Sequence, residues 1–142
     1  MSYWTHVKGK IELEVMNKTA TVDKIEDDIR NILGREVSFE DDEEVWKDTV
    51  IHPDKYLLMG SEGSLSMNIE HRQEELGHVI YSIYLGGSLR DFAFEDKAIE
   101  WFKGKVDALG KMYHSSKKSA TVVKACVAAD GLDFDVWSYR RP

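Results

Sequence analysis

The residues with the most chemical potential lie in two short stretches that echo one another. One is LLMGSEGSLSMNIE, Leu57 to Glu70, and the other is YLGGSLRDF, Tyr84 to Phe92. In both, an apolar run meets glycine and serine and then Ser-Leu. Glycines let a backbone turn through positive φ and present successive N–H groups to an anion. Gly60, Ser61, Gly63 and Ser64 in the first stretch, and Gly86, Gly87 and Ser88 in the second, are therefore candidate ligand-binding residues. Arg90 could add a bidentate contact to a phosphate or carboxylate. The second stretch also runs from a strand pattern towards a helix pattern, the setting in which helix N-termini receive anions. Against a ligand, GSEGS is neither a phosphate loop nor a dinucleotide fingerprint, and Glu62 would repel a phosphate. The competing reading makes both stretches sheet corners, with Asp91 helping to start a helix and Arg90 paired to a neighbouring acid.

A second candidate is the acidic run FEDDEEVW, Phe39 to Trp46. Glu40, Asp41, Asp42, Glu43 and Glu44 repel one another, so such a block is either a solvated face or an interaction segment. Phe39, Val45 and Trp46 beside it could anchor the segment to the domain or to a partner. The five acids and Trp46 are thus candidate partner-binding residues, suited to a protein with a basic surface. The run lacks the spacing of a calcium loop. His6, His52, His71, His78 and His114 show no metal-ligand spacing, and Cys126 sits in a strand pattern as a small hydrophobe. No metal, cofactor or catalytic residue is expected.

These candidates need elements to position them. In HVKGKIELEV, Val7, Gly9, Ile11, Leu13 and Val15 fall on one face, with Lys8, Lys10, Glu12 and Glu14 on the other, the pattern of a half-buried strand. TVDKIEDDIRNILG then changes period: Val22, Ile25, Ile29 and Ile32/Leu33 predict a helix, with Thr21 as N-cap and Gly34 as stop. Residues 35–56 are irregular and densely charged, which predicts a long acidic surface connection that could hold a short helical turn around Glu43–Asp48. SLSMNIE and HVIYSIYLGG alternate again and predict a hairpin. FEDKAIEWFKGKVDALGKMY predicts a second helix with a stripe of Ala98, Trp101/Phe102, Val106 and Leu109, ending near Gly110. Gly104 in its middle suggests a close approach to the sheet. TVVKACVAADGLDFDVWSY predicts two strands about Asp130-Gly131.

The expected fold is therefore α+β: an antiparallel sheet of about five strands with two helices on one face. Its order is the ferredoxin-like β-α-β-β-α-β plus an extra C-terminal strand. The 142 residues read as a single domain over 1–142, and the apolar fraction of 42% is ample for a core. One cysteine excludes an internal disulfide framework, no apolar run reaches the ~20 residues of a membrane span, and MSYWTHVKGK lacks a signal-peptide core. A cytoplasmic protein is the expectation.

Net charge is −7 and uneven: residues 1–71 hold 8 Lys/Arg against 16 Asp/Glu, and residues 72–142 hold 11 against 10. Long-range repulsion disfavours direct nucleic-acid binding. The C-terminal half does pair Lys103, Lys105, Lys111, Lys117, Lys118, Lys124, Arg140 and Arg141 with Trp137 and Tyr139, but no RNA-binding aromatic submotif accompanies them. An exposed edge strand or the outer sheet face could support a homo-oligomer, although nothing in the sequence demands one.

The opening WTHV-x-G, the GSEGSL stretch and the G-x-LRDF stretch resemble a group of small phage and prophage proteins of Gram-positive bacteria. The resemblance spans most of the chain and implies no catalytic or binding residue. It implies a phage-type accessory protein in the cytoplasm of a bacterial host, of the kind that binds and inhibits a host defence or regulatory protein without catalysis. The alternative is a sponge for a small anionic, nucleotide-like signal, held by the Gly-Ser stretches and Arg90.

Overall fold

Alternation in WTHVKGKIELEVMN produces the longest strand, β1 (Trp4–Asn17). The computed structural model describes residues 3–17, 20–38, 40–61, 63–73, 78–90, 95–115 and 118–142. Phe39, Glu62, Asp91 and Lys117, each given a part above, lie outside the described residues. Val7, Ile11, Leu13 and Val15 are buried on one face of β1, while Trp4, His6 and Lys8 are exposed on the other. The change of period then gives α1 (Val22–Leu33). Thr21 Oγ1 accepts from the Lys24 N–H at 3.3 Å, Ile25, Ile29 and Leu33 are buried, and Gly34 at φ 116° ends the helix.

The long connection departs from the expected irregular loop. It holds a full helix, α2 (Glu43–Ile51), followed by a 3₁₀ turn at Pro53–Lys55. Asp42 caps α2 through its carboxylate and two glutamates fill the first turn, a polar start signal rather than an apolar one. None of its residues is buried, so no apolar stripe announces it.

β2 (Ser66–Gln73) and β3 (His78–Arg90) pair antiparallel. Gly86, Gly87 and Ser88 form no corner: they continue β3 opposite Lys8, Val7 and His6 of β1. Ladder bonds to a neighbouring strand hold the Gly-Gly pair extended despite its weak strand propensity. α3 (Glu95–Gly110) follows, with Ala98, Ile99, Phe102, Val106 and Leu109 buried. β4 (His114–Ser115), β5 (Lys118–Asp130) and β6 (Phe134–Arg140) complete the chain.

The fold is α+β with an antiparallel sheet in the order β2-β3-β1-β5-β4, and β6 also pairs with β5. The element order is β-α-α-β-β-α-β-β-β, so α2 and the two-residue β4 correct the expected count and order. β4 is too short to carry a periodicity. α3 packs on β1, β5 and β6, and α1 packs on α3. One core cluster joins Ile25, Ile29 and Leu33 of α1, Phe102 and Leu109 of α3, and the inward residues of β1, β3 and β5. Gly9 lets Phe102 lie on β1, since a Cβ there would sit 2.6 Å from its Cε2. Gly104 makes no such approach: nothing lies within 4 Å of where its Cβ would be.

Candidate ligand site on the uncovered sheet face

The residues of β1 that point away from the helices meet their neighbours in rows, because directly opposed residues of adjacent strands share a face. One row runs Ser88, His6, Asp130 and Phe134 across β3, β1, β5 and β6. The next runs Ser66, Gly86, Lys8, Ala128 and Val136, starting on β2. A third holds Asn68, Tyr84, Lys10, Cys126 and Ser138, and a fourth Glu70, Ser82, Glu12, Lys124 and Arg140.

Side-chain size along these rows shapes the surface. In the second row Lys8 stands between Gly86 and Ala128, which raise almost nothing above the backbone. Tyr84 on one side and His6 with Ser88 on the other are taller. The result is a hollow of about 620 Å³ lined by His6, Lys8, Asn68, Tyr84, Ser88 and Asp130. That volume lies within the range of small-ligand sites. His6 Nδ1 and Ser88 Oγ are 2.6 Å apart, and Ser66 Oγ donates to the Gly86 carbonyl at 3.1 Å. A second hollow of about 410 Å³ opens beside Lys10, Lys124, Cys126, Ser138 and Arg140.

The electrostatics of this face oppose those of the whole chain. Lys8, Lys10, Lys124 and Arg140 share it with His6. Glu12, almost buried between them, sits 3.3 Å from the Lys10 Nζ and 3.8 Å from the Lys124 Nζ. Its hydrogen bond raises the Lys10 ammonium above the ordinary lysine value, so Lys10 stays charged at neutral pH. Lys10 also lies 5.3 Å from the centre of the Tyr84 ring, a cation–π contact that holds both side chains over the face. Across these four rows Glu12, Glu70 and Asp130 offset three of the four cations, which leaves a local excess of one positive charge on a chain that is acidic as a whole. Such a face can receive an anion through ammonium groups and hydroxyls together. Among the described residues, no group of three or more His, Cys, Asp or Glu side chains is placed to hold a metal.

Of the residues singled out by sequence, Gly86, Gly87 and Ser88 line the larger hollow. Gly60, Ser61, Gly63 and Ser64 lie against the end of β3 and do not line it. The Gly60 N–H donates to the Gly63 carbonyl at 3.0 Å, and the Ser61 N–H to the Arg90 carbonyl at 3.0 Å. A Cβ on Gly60 would fall 2.4 Å from the Arg90 carbonyl oxygen, and one on Gly63, at φ 85°, 2.3 Å from that of Ser88. These glycines serve backbone-to-backbone packing, and the two N–H groups point into the protein. Arg90 stands opposite Trp4, a row beyond Ser88, and does not line the hollow.

The acidic run is divided in its roles. Asp41 accepts from the Ser38 N–H at 2.8 Å and pairs with Arg35 at 2.7 Å. The backbone bond first, and then Arg35, hold its carboxyl below the ordinary aspartate value. Asp42 caps α2, accepting from the Val45 N–H at 3.0 Å. Glu40, Glu43 and Glu44 are exposed, with Glu43 3.8 Å from Lys47, and Trp46 is half-buried. Cys126 is exposed on the uncovered face rather than filling the core, because β5 turns it outward opposite Lys10.

Spacing did not single out His6, Lys8, Lys10, Tyr84 or Asp130 as a ligand site, and it named Lys124 and Arg140 only among the cations of the C-terminal half. For the β1 residues the signal was the outward half of the alternation, which mixes lysine with glutamate and reads as ordinary solvated strand. Strand register, not sequence proximity, brings these residues together.

No protein-family model matches the chain, and no curated protein matches it. Among solved structures, a phage SAM lyase in its apo state shares 17% identity, with 95% of this chain and 89% of that chain covered and a TM-score of 0.29. A likeness at that level carries no argument about fold or activity.

Proposed function

We propose that this chain works by binding rather than turnover, and that it sequesters a small anionic, nucleotide-like ligand on the uncovered face of its sheet. One observation carries the reading. A chain of net charge −7 sets Lys8 in a hydroxyl-lined hollow floored by Gly86 and Ala128, with Lys10, Lys124 and Arg140 lining the second hollow on the same face. The surrounding acidity excludes large polyanions, while the local cations and hydroxyls retain a small one. Tyr84 supplies aromatic surface beside the ammonium groups. In this reading the protein is a phage-type accessory protein acting in a bacterial cytoplasm, lowering the free level of a host signal without destroying it. No helix among the described residues is long and apolar enough to cross a membrane.

Isothermal titration against a panel of mono-, di- and cyclic nucleotides and inorganic phosphate tests it. At least one nucleotide should bind the wild type, and Lys8→Glu with Lys10→Glu should abolish that binding while the far-UV circular dichroism stays native. Arg90→Ala should bind as the wild type does. Binding that survives the double charge reversal, or a panel with no ligand at all, would defeat the reading.

A second mode has its own support in α2. Glu43 and Glu44 are exposed in the first turn of α2, with Glu40 exposed just before it, and two turns on from the glutamates Val50 and Ile51 are 81% and 70% exposed. Charge beside bare apolar surface suits docking on a basic host protein, whose defence or regulatory activity the contact would inhibit. Replacing the three glutamates by glutamine should then weaken capture of that protein and flatten its salt dependence. Unchanged capture would remove α2 from the account.

A further inference from the structure

β6 is an edge strand, and its outer edge is unpaired among the described strands. Its make-up is unusual for a free edge. Phe134, Val136 and Tyr139 are three of the eight exposed large apolar side chains among the described residues, with Phe134 59% and Val136 56% exposed, and Leu132 in the turn before the strand is a fourth. The opposite edge strand, β2, instead exposes Ser66, Asn68, Glu70, His71, Arg72 and Gln73. Natural sheets usually guard an edge with charge, proline or a bulge, since a bare apolar edge templates another strand. From Phe134 to Arg140, β6 contains no proline and pairs with β5 without a register shift.

The backbone orientation of β6 can be read directly. The Arg141 N–H donates to the Val123 carbonyl at 2.8 Å, so by ladder alternation the odd-numbered residues bond inward to β5. The even-numbered residues face outward. Accordingly, the N–H groups of Phe134 and Val136 find no strand and donate to the carboxylates of Asp133 and Asp135, at 2.8 and 2.9 Å. These local contacts satisfy two of the outward N–H groups while the chain is alone, and a partner strand would exchange them.

The sequence of this edge, DFDVWSYRR from Asp133 to Arg141, carries its acids at one end and its arginines at the other. We infer that the partner it fits is a second copy of this chain, paired β6 to β6 in antiparallel register about a twofold axis at Trp137. In that register Asp133 meets Arg141 of the other copy, Phe134 meets Arg140, Asp135 meets Tyr139 and Val136 meets Ser138. Each contact occurs twice, as isologous symmetry requires. Opposed residues 134/140 and 136/138 are all even-numbered, so their outward N–H and C=O groups exchange ladder bonds. The whole of β6 overlaps, opposite charges lie across from each other, and Phe134 gains a guanidinium over its ring. Parallel pairing would instead set acid beside acid and arginine beside arginine. The two uncovered faces then join in one continuous sheet. This inference stands apart from the ligand reading, since the hollow is complete within one chain.

Sedimentation velocity over a wide concentration range tests it. The wild type should show a reversible monomer–dimer equilibrium. Ser138→Pro removes an outward N–H without touching a β5 bond and should leave monomer, with the far-UV circular dichroism unchanged. Asp133→Arg should raise the dimer dissociation constant about tenfold, and adding Arg141→Asp should restore it. The charge swap decides the matter should the proline variant fail to fold. A wild type that stays monomeric throughout, or a dimer indifferent to these substitutions, would overturn the inference.

Discussion

Two tyrosines and two glycines show how far the effect of a residue depends on what surrounds it. Tyr113 and Tyr81 each carry a hydroxyl away from water. The Tyr113 hydroxyl donates to Asp28 Oδ2 at 2.6 Å, whereas that of Tyr81 is buried with no hydrogen-bond partner among the described residues. Removing a satisfied charge-assisted bond costs about 1.5–3 kcal/mol, while removing an orphaned buried group relieves its desolvation. Tyr113→Phe should therefore lower the urea midpoint and Tyr81→Phe should raise it or leave it in place. The glycines invert in the same way. Gly104→Ala meets open space and should stabilise the helix by about 1 kcal/mol. Gly9→Ala drives a methyl into the buried Phe102 ring and should destabilise by about 1–3 kcal/mol. Equilibrium urea unfolding of the four variants checks both pairs, and equal shifts within either pair would refute the argument.

At the scale of an element, α2 is held by its ends and not by its faces. It buries no residue, its first turn depends on the Asp42 cap, and the Tyr56 hydroxyl reaches back to Asp48. Asp42→Ala should weaken it by about 1 kcal/mol. That loss belongs to a local opening, so amide exchange within α2 should quicken about fivefold while the global unfolding midpoint barely moves. A full shift of the global midpoint would mean that α2 is part of the cooperative core. The same physics explains what the sequence could and could not disclose. α1 was legible because Ile25, Ile29 and Leu33 bury a stripe between Thr21 and Gly34, and both caps work as their residue types predict. α2 was legible only as a helical turn around Glu43–Asp48; its full length to Ile51 was not, because five acids conceal a cap and a dipole-compatible first turn inside what reads as a solvated run. In β3, Gly86-Gly87-Ser88 read as a corner, yet the ladder to β1 keeps it extended. The β5–β6 hairpin followed its Asp130-Gly131 signal. The hollow on the uncovered face could not be read at all, since it arises from four strands in register.

For the whole molecule, ionisation sets a stability window whose edges follow from the direction of each shift. Asp28, Asp41, Asp48 and Glu95 are all held below their ordinary values: Asp28 chiefly by the Tyr113 hydroxyl, Asp41 by the Ser38 amide, Asp48 by the Tyr56 hydroxyl and Glu95 by the Asp133 amide. Below its unfolded value such a group binds more protons when unfolded, so stability rises with pH there. Its contribution is complete above the unfolded values, 3.8 for aspartate and 4.5 for glutamate, and is lost as pH falls through the folded ones. At the alkaline end the sign reverses. Burial pushes Tyr81 up to about 12 and raises Tyr113 as well, with Asp28 adding to the latter. The folded state then holds protons that the unfolded chain releases above 10.0, so stability falls with further rise in pH. Burial of Lys105 lowers its value and works against this fall, because the unfolded chain holds that proton longer. Tyr56 is raised too by its bond to Asp48, as are Lys10 by Glu12 and Lys24 by Asp28, so the raised groups outweigh the one lowered lysine. Urea midpoints should therefore form a plateau between about pH 5 and pH 9, with a loss on each side. Tyr113→Phe should shallow both limbs together, since it removes one raised phenol and also the donor that keeps Asp28 low. A variant that altered only the alkaline limb would show that the Tyr113–Asp28 bond does not govern the Asp28 carboxylate.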